Sequence, residues 1–79
     1  MKVQVKLFSV LRDYVPEYDP QKGVEVELSP KATVADLLSQ MGIPMSKAPV
    51  VTCNGRIIKS SDHLMEGSVL HIFQPVAGG

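Results

Sequence analysis

The residues best suited to chemistry end the sequence: Gln74-Pro75-Val76-Ala77-Gly78-Gly79. Glycine has no Cβ, so it lets another molecule approach the backbone closely. We interpret Gly78 and Gly79 as the end of a slender tail whose carboxylate enters a narrow active site on a partner and is modified there. The competing interpretation is a frayed chain end, because terminal residues are usually loosely held.

The cysteine, histidine and carboxylate side chains give weaker indications of a reactive site. Cys53 lies among apolar strand formers and is expected to be a buried, inert thiol. His63 and His71 fall in different elements without a second ligand at metal spacing, so we expect the chain itself to hold no metal or cofactor. Asp62 and Glu66 are close in sequence, but nothing around them indicates a cleft. The chain also lacks a GxxxxGKS/T phosphate-binding loop, so ATP-dependent activation of its carboxylate must come from a partner.

The bulk composition describes a small domain without a dominant charge. The chain has 79 residues, eight basic and eight acidic, and a formal net charge of zero. This balance argues against binding to nucleic acid or membrane through bulk charge. No secretory signal and no apolar run long enough to span a bilayer is evident. The single cysteine excludes an internal disulfide and is typical of a reducing compartment, so we expect a cytoplasmic protein.

Hydrophobic periodicity predicts an alternation of strands with one main helix. Thr33 is expected to cap this helix, with Asp36 as the acidic partner of a capping box and Gly42 as the C-terminal stop. Asn54-Gly55 is a strong signal for a tight hairpin. Strands are predicted over 2–8, 24–28, 50–53, 57–59 and 69–73.

Shorter features connect these elements. Ser9 is expected to cap a short helix over 10–14. Leu64 and Met65 are predicted to plug the core from the turn before the last strand. Two hairpins flanking one helix form an α+β domain, a β-grasp (ubiquitin-like) fold whose mixed sheet carries the helix across one face. The first and last strands are expected to pair in parallel at its centre, giving a single domain over 1–73 and a flexible tail over 74–79.

Five stretches of the sequence carry a resemblance to a known family: 5–12, 33–38, 51–55, 64–69 and 73–79. Through them the chain resembles the small sulfur carriers of the ubiquitin-like superfamily, the MoaD/ThiS family, and in particular the MoaD type. The matching stretches span nearly the whole chain in the right order and spacing. One departure is Ser68, which stands where the family usually has Asp in a Gly-Asp turn. The tail also echoes ThiS, the carrier of the thiamine pathway, so the tail alone leaves the pathway open.

The resemblance implies the chemistry at the tail. A MoeB/ThiF-like adenylating enzyme would use ATP to activate Gly79, and a sulfur donor protein would convert it to a thiocarboxylate. A MoaE-like large subunit would then receive the tail in a heterotetrameric molybdopterin synthase, where the sulfur builds the dithiolene of the molybdenum cofactor. In this account the chain donates sulfur and is not catalytic alone. Two alternatives stay open: a ubiquitin-like protein modifier conjugated through Gly79, and a carrier for another sulfur pathway such as thiazole formation.

The partners must also bind the body of the domain. Phe8 and Phe73 occupy the outward parity of strands expected to be neighbours, and Ile57 lies beside the Asn-Gly turn. An apolar group on a solvated face is a good marker of a protein contact, and the matching positions in MoaD-type proteins form such a surface. We therefore expect these three residues, with the tail residues Pro75, Val76 and Ala77, to contact partners. A fourth hypothesis, a plain interaction module with an inert tail, requires none of the acyl chemistry.

Overall fold

The computed structural model describes residues 1–47 and 49–75. Within these ranges, short 3-10 helices over Ser9–Tyr14 and Met45–Lys47 join the regular elements. The regular elements are five strands and one α-helix: β1 (Lys2–Leu7), β2 (Val24–Glu27), α1 (Val34–Met41), β3 (Val50–Cys53), β4 (Arg56–Ile58) and β5 (Val69–Phe73).

The strands form one mixed sheet in the order β2-β1-β5-β3-β4. The central strands β1 and β5 run parallel, whereas the β1–β2, β3–β5 and β3–β4 pairs are antiparallel. Helix α1 packs across the inner face of this sheet. The arrangement confirms the predicted β-grasp fold, including the parallel central pair.

Alternation along the strands places their apolar side chains on the inner face, where those of α1 cover them. Leu37 and Leu38 of α1 are almost fully buried there, while Ala35, Asp36 and Ser39 are exposed. Removing a large side chain from such a core typically costs about 2–5 kcal/mol. The strand side chains that are less than 2% exposed are Val3, Val5, Leu7, Leu70 and Ile72.

Both ends of α1 are fixed as the sequence predicts. The Asp36 N–H donates to the Thr33 hydroxyl (3.3 Å), and the Thr33 N–H donates to the Asp36 carboxylate (2.9 Å), which completes a capping box. Gly42 ends the helix in the left-handed region (φ 76°), and its N–H donates to the carbonyls of Leu38 and Ser39. In the described ranges no helix has the length and apolar character needed to cross a bilayer.

Three local predictions are wrong. Ser9 does not cap the helix after β1, because its own backbone has a φ of 53° and Phe8 takes the N-cap position. Met65 is 75% exposed, since Leu64 alone turns inward to fill the core. Strand β4 ends at Ile58, because the N–H of Lys59 donates to the carboxylate of Asp62 (2.8 Å) in a turn.

Candidate functional site

The face of the sheet opposite α1, here called the outer face, carries a continuous row of side chains across four strands. Lys6 of β1 pairs with His71 of β5, His71 pairs with Thr52 of β3, and Thr52 pairs with Ile57 of β4. In the next row towards the tail, Phe73 pairs with Val50. These two rows of the outer face therefore combine apolar side chains with the polar groups of Thr52 and His71 and the cationic side chain of Lys6.

An aromatic cluster lies where β1 and β5 end together. The N–H of Phe8 donates to the carbonyl of Ile72 (3.2 Å), which continues the parallel ladder one residue beyond β1. The rings of Phe8 and His71 meet edge to face, with centroids 5.7 Å apart and an interplanar angle of 64°. Phe8 keeps 38% of its surface exposed, and Phe73 is half-buried.

These side chains surround a shallow hollow of about 450 Å³ at the point where the chain leaves β5. Its walls combine aromatic rings with hydroxyl, imidazole and amide groups. Such a mixture can seat one or two side chains of a docked protein. The lining residues are Phe8, Ser9, Thr52, His71, Phe73 and Gln74.

The end of β1 is held in place from the loop that follows it. The Leu7 N–H donates to the Tyr18 hydroxyl (2.7 Å), and Arg12 Nε donates to the Leu7 carbonyl (3.3 Å). The left-handed backbone of Ser9 then turns the chain sharply after Phe8. Strain of this kind persists where surrounding contacts fix it, and here it directs the chain away from the sheet immediately after the exposed ring.

The structure brings together two of the three predicted contact residues of the domain body. Phe8 and Phe73 share the hollow, whereas Ile57 lies on the edge strand, 76% exposed, and borders a separate groove against α1. Pro75 is exposed just beyond β5. The predicted tail residues Val76, Ala77, Gly78 and Gly79 lie outside the described residues.

Sequence reasoning missed the polar wall of the hollow. His71 has the same outward parity as Phe73 on the last strand, but its contact with Phe8 depends on the parallel register of β1 and β5. Thr52 joins the wall through the antiparallel pairing of β3 with β5, and Gln74 joins it as the residue that follows β5. The signal in the sequence was that His71 and Phe73 share one face of the last strand. It points to the hollow only once the strand order places that strand between β1 and β3.

The other candidate side chains considered from the sequence, Cys53 and His63, make contacts that explain them as parts of the fold. Cys53 packs against the core from β3 and is half-buried. His63 Nδ1 lies 2.8 Å from the carbonyl oxygen of Lys31 beside the start of α1. Among the residues that the structure describes, no cluster of three or more His, Cys, Asp or Glu side chains could hold a metal ion.

Comparisons with known proteins bear on the family and the fold of the chain. The sequence model of the ThiS family matches residues 5–79. A protein assigned as molybdopterin converting factor subunit 1 from Pyrococcus furiosus is 26% identical, with a TM-score of 0.72, over 95% of this chain and 98% of that one. No curated protein sequence matches the chain.

Two further solved structures share the fold at lower identity. Small archaeal modifier protein 1 of Haloferax volcanii is 24% identical, with a TM-score of 0.72, over 95% of this chain and 98% of its own. A ubiquitin of Caldiarchaeum subterraneum is 18% identical, with a TM-score of 0.60, over 100% of this chain and 98% of that one. Since the family model matches residues 5–79, the resemblance noted from the sequence is confirmed, and the chain belongs to the ThiS family.

Proposed function

We propose that this chain is a sulfur carrier whose Gly79 carboxylate is converted to a thiocarboxylate, and that it serves as the small subunit of a molybdopterin synthase. The observation that carries the proposal is the match to the ThiS family, which extends through the final Gly78-Gly79. The 26% identical structure assigned as molybdopterin converting factor subunit 1 supports the choice of pathway. The aromatic hollow beside the root of the tail supports docking on a partner.

The proposed chemistry needs a partner at each step. A MoeB/ThiF-like enzyme transfers AMP from ATP to the Gly79 carboxylate and releases pyrophosphate. A persulfide on a sulfur donor protein then attacks the acyl carbon, AMP leaves, and cleavage of the S–S bond by a thiol leaves the thiocarboxylate. The chain contributes the reacting carboxylate and two residues without side chains, Gly78 and Gly79, which fit a narrow channel.

The body of the domain orients the tail for these partners. Phe8 and Phe73 offer aromatic surface to a partner beside Gln74 and Pro75, where the chain leaves β5. Aromatic side chains dominate binding energy at interfaces because they bury large areas with few rotatable bonds. A partner seated on the hollow would therefore hold the start of the tail at its own active-site entrance. Ile57, on the far edge, is proposed as a peripheral contact.

The large partner in this proposal is a MoaE-like subunit that forms a heterotetramer with two copies of the carrier in the cytoplasm. The thiocarboxylate sulfur displaces an oxygen leaving group from a pterin precursor bound by that subunit. Hydrolysis of the resulting acyl–sulfur bond leaves the sulfur on the pterin and regenerates the Gly79 carboxylate. All remaining catalytic groups belong to the partner, so the chain alone is expected to show no turnover.

Reconstitution tests the pathway. Thiocarboxylated chain, the MoaE-like subunit from the same organism and the pterin precursor should yield the dithiolene product in proportion to the carrier added. The matched control is a variant that lacks Gly79, which keeps every residue of the folded domain. Product formation by that variant, or no product from the intact thiocarboxylate with a competent large subunit, would contradict the proposal.

A carrier for another sulfur pathway is the second candidate, because the matching family model is that of ThiS. Thiazole formation by the thiocarboxylate with thiamine-pathway enzymes, without dithiolene formation with the large subunit, would favour it. Conjugates of the chain with lysine side chains of other proteins would instead indicate a ubiquitin-like modifier.

A further inference from the structure

The outer face is electrically asymmetric along β1. At the end far from the tail, Lys2 pairs with Glu27 and Gln4 with Glu25 across to β2, and Lys2 Nζ lies 3.9 Å from Glu25 Oε1. One lysine therefore faces two glutamates there, and this end of the outer face carries a net negative charge. At the tail-proximal end, Lys6 lies beside His71 of β5 and close to Gly23, the residue before β2, and neither carries an acidic side chain.

Lys6 has no acidic partner among the residues that the structure describes. Among residues 1–47 and 49–75, the ion pair within 4 Å is Lys2–Glu25, and Lys6 takes part in none. The stem of Lys6 lies close to Gly23, with its Cγ 3.1 Å from the place where a Cβ on that glycine would stand. This packing holds the stem against the sheet and keeps the ammonium group on the outer face.

His71 lies next to Lys6 in this row and also lines the hollow. Its ring packs edge to face against Phe8, and no side chain among the described residues forms a hydrogen bond to it. No buried side-chain nitrogen or oxygen in the described part of the chain lacks a partner, so the free ring nitrogen faces solvent. Lys6 and His71 are directly paired in the register. Together they present adjacent donors beside exposed aromatic surface.

We propose that the adenylating enzyme that activates the tail places a carboxylate side chain against Lys6 and His71, with apolar groups over Phe8 and Phe73. The inference rests on the proposed carrier function and specifies the chemistry of the docked surface. A carboxylate would accept from both donors, and the aromatic surroundings would exclude water from the pair. A polyanion is disfavoured, because the charged row is one residue deep and the formal net charge is zero.

This contact would set the orientation of docking. The far end of the outer face carries Glu25 and Glu27, which repel the same carboxylate. A partner rotated by half a turn on the outer face would therefore meet like charge, and the tail would point away from its channel. Discrimination of this kind is how charged groups commonly act in interfaces.

Association kinetics test the proposal. The partner is the adenylating enzyme from the same organism, and the variants are K6E, K6Q and K6R. The matched control is K47E, which makes the same charge change in the 3-10 helix after α1, outside the sheet. We expect K6E to lower the association rate constant about ten-fold and to weaken the dependence of that rate constant on salt concentration. K6R should stay within about two-fold of the wild type, because it keeps the charge.

The outcomes separate this inference from the proposed function. The carboxylate contact would be overturned if K6E and K47E had equal association rate constants and equal salt dependence. If the wild type still formed the thiocarboxylate normally, the carrier function would stand. Absence of thiocarboxylate on the wild type would overturn both. Circular dichroism of each variant checks folding, and K6Q, which removes charge without reversing it, should give an intermediate loss if the contact exists.

Discussion

Replacing Phe8 with alanine removes the ring that stands most prominently at the edge of the hollow. Phe8 is 38% exposed. If a phenylalanine offers roughly 200 Å² to burial, a docked partner would cover about 75 Å² of this ring. At about 25 cal/mol per Å², that area contributes about 2 kcal/mol to binding, which corresponds to an increase of about 20-fold in Kd.

The buried part of the same ring contributes to folding, so stability must be measured together with binding. The ring packs edge to face on His71, and its loss should lower the free energy of unfolding by about 1–3 kcal/mol. A domain of this size is expected to have about 4–12 kcal/mol of stability, so the variant should stay folded. Urea unfolding monitored by circular dichroism gives this value directly.

Isothermal titration calorimetry with the adenylating enzyme measures the effect on binding. Met65→Ala is the matched control, because Met65 is a 75% exposed apolar residue next to the turn that meets the start of β1. The control should bind within about two-fold of the wild type. A folded Phe8→Ala variant that also binds within about two-fold of the wild type would refute the assignment of the hollow as the docking surface.

Three further predictions concern stability. A Cβ on Gly23 would stand 2.5 Å from a backbone carbonyl oxygen of β1, and the residue has a φ of 71°. Gly23→Ala should therefore lower the free energy of unfolding by about 2–4 kcal/mol in urea titrations. Gly55 has a similar φ but open space around it, so Gly55→Ala should lose about 1 kcal/mol, and equal losses would contradict the steric argument. Ser9→Gly relieves a left-handed backbone and should raise the unfolding free energy by up to about 1 kcal/mol; a clear loss would show that the serine side chain stabilises this turn. Hydrogen bonds from the backbone and then the hydroxyl of Thr33 hold the pKa of Asp36 below its ordinary 3.8. The contribution of Asp36 to folding stability is therefore complete above pH 3.8 and is lost as the pH falls through the lower folded pKa. Asp36→Asn should flatten the fall of the melting temperature in acid, and an unchanged fall would contradict this.

Local signals in the sequence predicted most of the fold because each acts over a few residues. Alternation fixes which strand side chains point inward, and the Thr33–Asp36 capping box and Gly42 fix the ends of α1. Asn54-Gly55 fixes the β3–β4 turn, with Asn54 at φ 52° and Gly55 at φ 84°. These features depend on backbone preference and burial, which can be recognised from neighbouring residues alone.

The failures arose where longer-range packing decided the outcome. Ser9 has the right side chain for a cap, but the path of the chain after Phe8 forces its backbone into the left-handed region. Leu64 and Met65 are equally apolar, and the turn geometry buries one of them. The pairing of Lys6 with His71 follows from the parallel register of strands separated by most of the chain, so the polar part of the site became visible only in the folded sheet.

The mass of the intact chain tests the central claim most directly. The chain is incubated with its adenylating enzyme, ATP and a sulfur donor, and then analysed by mass spectrometry with fragment mapping of the last residues. The account predicts replacement of one oxygen by sulfur at Gly79. An unchanged carboxylate at Gly79, with an adenylating enzyme shown to be active on a known carrier, would contradict it.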